Sequence, residues 1–240
     1  MIDTAFILAA GLGTRLRPHT EDKPKPMVKV DGVPMIEHAF EKLQAEGVKN
    51  YVVNTHYQAH VLHSFLENYS NEHCDLTIER SYEKVLLDTG GGIVKVLDSL
   101  PESFFVLSGD SVWDDGASVP MLKGLQHMWD KEKMDILIAL QPKENMVLTH
   151  GVGDYSLAED GRAVRSLDKN GDYMFTSVRI NAKRIFSGAP EGAFSYLQLL
   201  DEAQAKGRLY GYVHQGDWHH ISTPADLEAV NEHYAHKEEA

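Results

Sequence analysis

The stretch AFILAAGLGTRLRP, residues 5–18, decides the fold that we expect for this chain. Its first six residues are apolar and end at a glycine, which is typical of a buried β-strand. Gly11 and Gly13 follow at once, and glycine lets the backbone come close to a ligand. Backbone N–H groups of such a loop, at the start of a following helix, form an anion site.

A cluster of positive charge follows the glycine loop. Arg15, Arg17, Lys23 and Lys25 lie within eleven residues of a chain whose formal net charge is −13. The loop and the cluster together predict a binding site for a polyphosphate. The loop does not match the P-loop pattern G-x-x-x-x-G-K-[ST]. It does not match the dinucleotide-binding pattern G-x-G-x-x-G either, because Leu16 occupies the third glycine position. The simpler alternative is a glycine-rich turn with unrelated surface charge.

The composition limits the class of protein. The chain has 240 residues, of which 42% are hydrophobic and 25% charged, which suits a globular protein with a sizeable core. No apolar stretch approaches the roughly 18 residues of a membrane span, and no signal-like run opens the sequence, so we expect neither membrane insertion nor secretion. The negative charge disfavours binding to nucleic acid. The single cysteine, Cys74, suits a reducing cytoplasm.

Strand-like and helix-like segments alternate along the first part of the chain. The predicted strands are residues 5–10, 50–54, 76–79, 104–107 and 134–140, and the predicted helices are 35–47, 58–69, 93–100, part of 119–131 and 196–205. This alternation predicts an α/β fold with a Rossmann-like, mainly parallel sheet and helices on both faces. Ligands bind beyond the carboxyl ends of such strands. The glycine loop and the Gly109-Asp110 turn both follow strands, so we expect them at one edge.

Several segments carry a resemblance to a known family. LAAGLGTRLRP at 8–18 and KPKPMV at 23–28 resemble the signature of sugar-1-phosphate nucleotidyltransferases. The supporting segments are LDTGGGI at 87–93, LSGD at 107–110, HGVGDY at 150–155 and WHHISTP at 218–224. More narrowly, the chain is similar to the short bacterial N-acetylmuramate-1-phosphate uridylyltransferases of cell-wall recycling. The resemblance covers nearly the whole chain and implies a GT-A-like fold.

The resemblance also implies a reaction and a domain organisation. An NTP reacts with a sugar 1-phosphate to give an NDP-sugar and pyrophosphate, and UTP is the expected NTP. The implied sugars are N-acetylmuramate and N-acetylglucosamine 1-phosphate. Residues 1–240 then form one domain, with a nucleotide-binding part at about 1–142 and a smaller sugar-phosphate-binding part at about 143–240. Shorter strand-like pieces and glycine turns begin near residue 142, and no flexible linker separates the two parts.

Arg15 and Lys25 are the predicted catalytic residues. A planar guanidinium at Arg15 suits the β- and γ-phosphates of the NTP. Lys25 stands between two prolines, and a stiff extended segment there would aim its ammonium at the α-phosphate. The resemblance assigns nucleotide contacts to these two residues and to Ala10, Gly11, Gly13, Thr14, Thr89 and Gly90. As a bare motif, the glycine triplet at 90–92 predicts only a flexible turn whose backbone can approach a ligand.

The predicted sugar contacts lie mainly in the second half of the chain. The resemblance assigns them to Gly91 and to Gly153 and Asp154 of the HGVGDY segment, and the residue types themselves add Thr176. The last belongs to the segment FTSV at 175–178, where we expect hydroxyl contacts to the sugar.

Asp110 and His220 are the predicted metal ligands. Asp110 ends an apolar strand, and Mg²⁺ prefers one or two protein carboxylates. His220 stands where related enzymes often carry a second metal-binding aspartate in a W-x-D-x-G-T-like segment. Imidazole suits Mn²⁺ better than Mg²⁺. Four alternatives stay open at this point. His220 binds the metal, His220 contacts phosphate, Asp217 supplies a carboxylate from a shifted position, or His220 has a purely structural role.

Two other functions remain compatible with the sequence. One is a GTP- or CTP-dependent enzyme for mannose or heptose 1-phosphate or for phosphocholine, since base choice depends on a few contacts that one sequence does not reveal. The other is a sugar-nucleotide-binding regulatory module without turnover, which the substitution at His220 keeps open. The predicted assembly is a monomer or a small homo-oligomer.

Overall fold

The computed structural model describes residues 1–238. The strands are β1 Thr4–Leu8, β2 Lys29–Val30, β3 Val33–Pro34, β4 Asn50–Thr55, β5 Thr77–Tyr82, β6 Ser103–Ser108, β7 Val112–Asp114, β8 Ile136–Pro142, β9 Tyr155–Leu157, β10 Ala163–Arg165, β11 Tyr173–Ala182, β12 Leu209–Val213 and β13 Asp217–His219. The helices are α1 Met35–Ala45, α2 Ala59–Glu72, α3 Asp88–Val94, α4 Met121–Met128, α5 Leu197–Ala205 and α6 Pro224–Glu238. None of the helices in residues 1–238 has the length and apolar character needed to cross a bilayer.

A nine-stranded sheet forms the centre of the molecule. Its main path runs β12-β8-β11-β6-β1-β4-β5, and β9 and β10 continue from β11 as a side branch. Strand β1 pairs in parallel with β4 and β6, β4 pairs in parallel with β5, and β8 with β12. Strand β11 is antiparallel to both of its main neighbours, β6 and β8. The predicted α/β fold with a mainly parallel sheet is therefore confirmed.

Helices cover both faces of this sheet. Strand β1 is buried on its two sides, because Ile7 and Phe6 point to different hydrophobic clusters. Ile7 belongs to the cluster that contains Phe40 of α1 and side chains of α2 and α4. Phe6 belongs to the cluster that contains Ile93 of α3 and Leu199 of α5. A parallel sheet needs this double cover, since each strand presents apolar side chains on both sides.

One predicted helix was misplaced. The segment 93–100 was expected to be helical, but α3 begins at Asp88, ends at Val94 and contains the whole glycine triplet. A short 3-10 turn, Leu97–Ser99, follows. A Cβ atom at Gly91 would lie 2.1 Å from the Gly192 carbonyl oxygen. Close packing of the backbone therefore requires glycine in this helix and overrides its low helix propensity.

This packing predicts the effect of Gly91→Ala. We expect the substitution to lower the free energy of unfolding by about 2–3 kcal/mol, because the clash is with backbone that cannot rotate away. Urea denaturation measures the change. Gly11→Ala is the control, since a Cβ at Gly11 meets no atom within 4 Å and should change stability by less than about 0.5 kcal/mol. Equal stabilities of the two variants would contradict this account.

Candidate active site

The glycine loop and the Asp110 turn meet at one edge of the sheet. Strands β1 and β6 are parallel neighbours, and Leu8 at the end of β1 is paired with Ser108 at the end of β6. The Gly109 N–H donates a hydrogen bond to the Leu8 carbonyl at 2.8 Å and joins the two turns. The expectation that both turns lie at one edge of the sheet is confirmed, and the structure shows in addition that their strands are neighbours.

The glycine loop differs from the expected loop-to-helix arrangement. Residues Thr14–Leu16 form a single 3-10 turn, and the first α-helix begins only at Met35. Gly13 has a left-handed φ of 62°, and its carbonyl accepts a hydrogen bond from the Thr20 hydroxyl at 2.8 Å. A turn of three residues has little summed dipole. Anion binding here therefore depends on the loop N–H groups and on the nearby cations.

A cleft of about 500 Å³ opens above the loop. Most of the predicted nucleotide and metal residues line it, namely Ala10, Gly11, Gly13, Thr14, Arg15, Lys25, Thr89 and Asp110. The structure thus brings together the charged side chains of Arg15 and Asp110, which are 95 positions apart in the sequence. We call this space the first cleft.

Lys25 and Asp110 form an ion pair inside the first cleft. The Asp110 carboxylate also accepts a hydrogen bond from the Ser108 hydroxyl. Burial by itself would raise the pKa of Asp110, but the Lys25 ammonium and the Ser108 hydroxyl outweigh it and hold the pKa below its usual value. The predicted extended segment around Lys25 ends at Pro24, because Lys25–Met27 is a 3-10 turn. The lowered pKa keeps the Asp110 carboxylate charged at neutral pH.

His220 reaches the same edge through a small antiparallel ribbon. Strand β13 pairs with β7, and His219 lies opposite Val112. His220, the residue after β13, therefore lies near the turn that precedes β7, which contains Asp110. Asp217 is paired with Asp114 at the far end of this ribbon. This register favours His220 over Asp217 as the second residue of the metal site.

The surroundings of His220 keep its imidazole neutral. Burial, followed by the positive charges of Lys25 and Arg15, lowers the pKa of His220. Its Nε2 atom is 2.9 Å from the Ser222 hydroxyl. A neutral imidazole has a lone pair that can serve a metal or accept a proton.

The donors at this edge suit a divalent metal whose coordination is completed by the substrate. Within residues 1–238, no three His, Cys, Asp or Glu side chains converge into a ready-made metal site. Asp110 nevertheless presents a charged carboxylate that is 24% exposed to the cleft. Mg²⁺ is commonly held by one or two carboxylates together with substrate phosphates and water. The residues present fit that type of site.

Gly90 and Gly91 do not line the first cleft. The Gly90 N–H donates to the Phe194 carbonyl at 3.0 Å, and a Cβ there would lie 2.3 Å from the Phe194 ring. The prediction of a flexible turn at the glycine triplet was wrong. These glycines belong to helix α3 and pack it against the segment around Phe194. Thr89, at the first turn of the same helix, is the residue of this motif that faces the cleft.

A second cleft of about 410 Å³ adjoins the first and shares Leu8, Thr89 and Ser177 with it. Asp154 lines it, as expected for a sugar contact, and is paired with Lys169 at 2.5 Å. Gly153 does not line it, because this residue packs against the backbone of Gly171.

Thr176 lies beneath the second cleft rather than in it. Its side chain is buried, and its hydroxyl donates to the Ala139 carbonyl at 2.9 Å. The expected sugar contact at Thr176 is therefore not supported by its position. Ser177, one residue further on, lines both clefts.

Asn54 and Glu83 are positioning residues that the sequence analysis missed. The Asn54 amide oxygen accepts the Ala9 N–H at 2.7 Å, and its nitrogen donates to the Glu83 carboxylate at 2.8 Å. The other Glu83 oxygen accepts the Leu87 N–H at 2.9 Å. This buried chain ties the glycine loop to the start of α3. The only sequence signal was a polar residue near the end of an apolar strand.

Comparison with known proteins agrees with this geometry. The Nucleotidyl transferase family model matches residues 4–237. The N-acetylmuramate alpha-1-phosphate uridylyltransferase of Caulobacter vibrioides is 36% identical over 224 residues, 92% of each chain. The D-glycero-alpha-D-manno-heptose 1-phosphate guanylyltransferase of Campylobacter jejuni is 36% identical over 110 residues, 46% of this chain and 48% of its own.

The fold is shared with solved structures at low sequence identity. The inositol-1-phosphate CTP transferase from T. maritima matches with a TM-score of 0.77 at 20% identity, covering 96% of each chain. The family model covers nearly all of the described residues, and the Caulobacter vibrioides relative matches 92% of the chain. The chain therefore belongs to the nucleotidyl transferase family and is a sugar-1-phosphate nucleotidyltransferase.

Proposed function

We propose that this protein transfers the uridylyl group of UTP to N-acetylmuramate 1-phosphate and releases pyrophosphate. The observation that carries the proposal is the convergence of Arg15, Lys25 and Asp110 on one cleft beside the glycine loop. The reaction brings two phosphate-bearing anions together, so it needs cations and tight positioning. The relative in Caulobacter vibrioides, whose name states this reaction, supports the choice of substrates. N-Acetylglucosamine 1-phosphate is the alternative acceptor.

The chemistry is an in-line displacement at phosphorus. A phosphate oxygen of the sugar 1-phosphate attacks the α-phosphorus of UTP, and the bond to the leaving pyrophosphate breaks. We assign to Lys25 the stabilisation of negative charge that grows on the α-phosphate oxygens. We assign to Arg15 the binding of the β- and γ-phosphates, and hence of the leaving group. The N–H groups of the glycine loop, which precedes Arg15, hold the triphosphate in place.

A divalent metal, Mg²⁺ with Mn²⁺ as the alternative, would be held by Asp110 and His220. Such an ion supplies positive charge that draws the phosphates of the two substrates together. The Asp110 carboxylate keeps its charge through its contacts with Lys25 and Ser108, which is the state that binds a cation. His220 remains neutral beside it for the reasons given above.

We assign the two clefts to the two substrates. The first cleft is built largely from residues 1–142 and would hold the nucleotide. The second is built largely from residues 143–240 and would hold the sugar phosphate. Both lie on one sheet, which supports a single domain with two binding parts.

The cellular setting follows from these substrates. We place the enzyme in the cytoplasm, in the recycling of peptidoglycan sugars, as a monomer or a small homo-oligomer. The only cysteine, Cys74, is exposed and free, as suits a reducing compartment.

Pyrophosphate release tests the proposal directly. The assay combines Mg²⁺ and each of four NTPs with N-acetylmuramate, N-acetylglucosamine or heptose 1-phosphate. We expect UTP with N-acetylmuramate 1-phosphate to give the highest kcat/KM, by about 100-fold over the other bases. A preference for GTP with heptose 1-phosphate would instead support the activity named for the Campylobacter jejuni relative. No release with any pair, in Mg²⁺ or Mn²⁺, would contradict both.

A further inference from the structure

A buried guanidinium without an anionic partner faces the second cleft. Arg179 lies on β11 between β6 and β8, lines this cleft, and is only 2% exposed. Its Nη1 atom donates to the Ser177 carbonyl at 3.2 Å, while Nε and Nη2 have no hydrogen-bond partner within residues 1–238. The guanidinium carbon lies 3.8 Å from the centre of the Tyr196 ring. A cation–π contact holds the group but supplies no negative charge.

The other cations of the second cleft are already neutralised. Arg165 is paired with Asp201 at 3.2 Å, and Lys169 is paired with Asp154 at 2.5 Å. None of the ion pairs found in residues 1–238 includes Arg179. Burial lowers the pKa of the guanidinium, yet arginine ionises so far above neutrality that the group stays charged. A buried charge is costly unless it is paired, so the structure points to a ligand that completes the pair.

A second unused donor lies beside Arg179. The Tyr155 hydroxyl is buried, lines the same cleft and has no hydrogen-bond partner within residues 1–238. Burial raises the pKa of Tyr155, so its hydroxyl keeps its proton and can donate. Tyr155 is close enough to influence the pKa of Arg179. Two donor nitrogens and one hydroxyl group with no acceptor match the two oxygens of a carboxylate.

We propose that Arg179, with Tyr155 beside it, binds the carboxylate of the lactyl ether of N-acetylmuramate 1-phosphate and selects this acceptor over N-acetylglucosamine 1-phosphate. This inference rests on the proposed function. The two acceptors share the same sugar and phosphate, and N-acetylglucosamine carries a hydroxyl where N-acetylmuramate carries the charged ether. The two clefts share Leu8, Thr89 and Ser177, so an acceptor whose phosphate lies in the first cleft, which Lys25 lines, can extend into the second cleft, which Arg179 lines.

The test compares the two acceptors in wild type and Arg179→Met with saturating UTP. Methionine replaces the buried charge with an apolar chain of similar length. We expect kcat/KM for N-acetylmuramate 1-phosphate to fall by about 100-fold, mainly through KM, because a charge-assisted contact to a non-reacting group is lost. We expect kcat/KM for N-acetylglucosamine 1-phosphate to change by less than about threefold. The lactyl amide, which lacks the charge, should behave like N-acetylglucosamine 1-phosphate.

Further variants separate recognition from folding. Tyr155→Phe should give a smaller loss, about fivefold, on the same acceptor only. Arg162→Met is the matched control, because Arg162 is half-exposed, pairs with Asp160 and lines neither cleft. The melting temperature of Arg179→Met should equal or exceed that of wild type, since replacing an unpaired buried charge with an apolar group is often stabilising.

Three outcomes would overturn the inference. The first is an equal loss on both acceptors with a lower melting temperature, which would make Arg179 a structural residue. The second is an unchanged acceptor preference in Arg179→Met. The third is that Arg165→Met, rather than Arg179→Met, loses the preference for N-acetylmuramate 1-phosphate. That result would place the binding site of the lactyl carboxylate at Arg165. If wild type itself fails to use N-acetylmuramate 1-phosphate, the proposed function fails as well, whereas the first three outcomes leave it standing.

Discussion

Asp110→Asn is expected to lower the turnover number for pyrophosphate release by about 10³-fold at saturating Mg²⁺ and substrates. The substitution removes the carboxylate charge from the edge of the first cleft, where Lys25 and Ser108 keep it ionised. It thereby removes the only charged side chain among the two proposed metal ligands. Loss of that charge weakens metal binding and leaves the phosphate charge less well balanced.

The fold of this variant should remain intact. Asparagine has nearly the same shape as aspartate, and the side chain of Asp110 is 24% exposed. Circular dichroism and the melting temperature check this point. Asp98→Asn is the control, since Asp98 is exposed and lines neither cleft. Turnover near the wild-type value in Asp110→Asn would remove Asp110 from the metal site.

Lys25→Met is expected to lower kcat by about 100-fold while changing the KM for UTP by less than about fivefold. The reason is that, in the proposed mechanism, the Lys25 ammonium balances charge that appears only as the α-phosphorus is attacked. Arg15 and the loop N–H groups would still hold the rest of the triphosphate. Single-turnover kinetics and nucleotide binding, measured separately, distinguish the two effects.

Lys29→Met is the control for this variant, because Lys29 is exposed and lines neither cleft. It removes the same charge from a neighbouring position and should leave kcat within about twofold. A change in Lys25→Met that is confined to the KM for UTP would show that Lys25 binds the ground state only.

Local patterns were sufficient to predict the sheet and its functional edge. The apolar runs that became β1, β4, β6 and β8 were each recognised, with ends that shift by a few residues. Such runs depend on neighbouring residues alone, because a buried strand needs apolar side chains on both faces. The turns at Gly11 and Asp110 followed from the same argument, since residues after parallel strands share one edge.

Features that depend on tertiary contacts were not predicted. Helix α3 starts at Asp88 because the glycine triplet packs against the segment around Phe194. On β11, the pairing with β8 shifts between Phe175 and Arg179, and Ser177 has a left-handed φ of 67°. Phe175, Ser177 and Arg179 nevertheless line the second cleft in alternation, so Thr176 falls on the opposite, buried side of the strand.

The sequence by itself determined the fold class, through its alternating segments. It also predicted the phosphate-directed loop and the roles of Arg15, Lys25 and Asp110, because each belongs to a short contiguous motif. Only the tertiary structure decided that the ribbon of β7 and β13 carries His220 back towards Asp110. Only the tertiary structure also showed that Arg179 is buried and that no carboxylate of residues 1–238 pairs with it. Both depend on which distant segments pair, and pairing over such separations is set by the packing of the whole chain rather than by neighbouring residues.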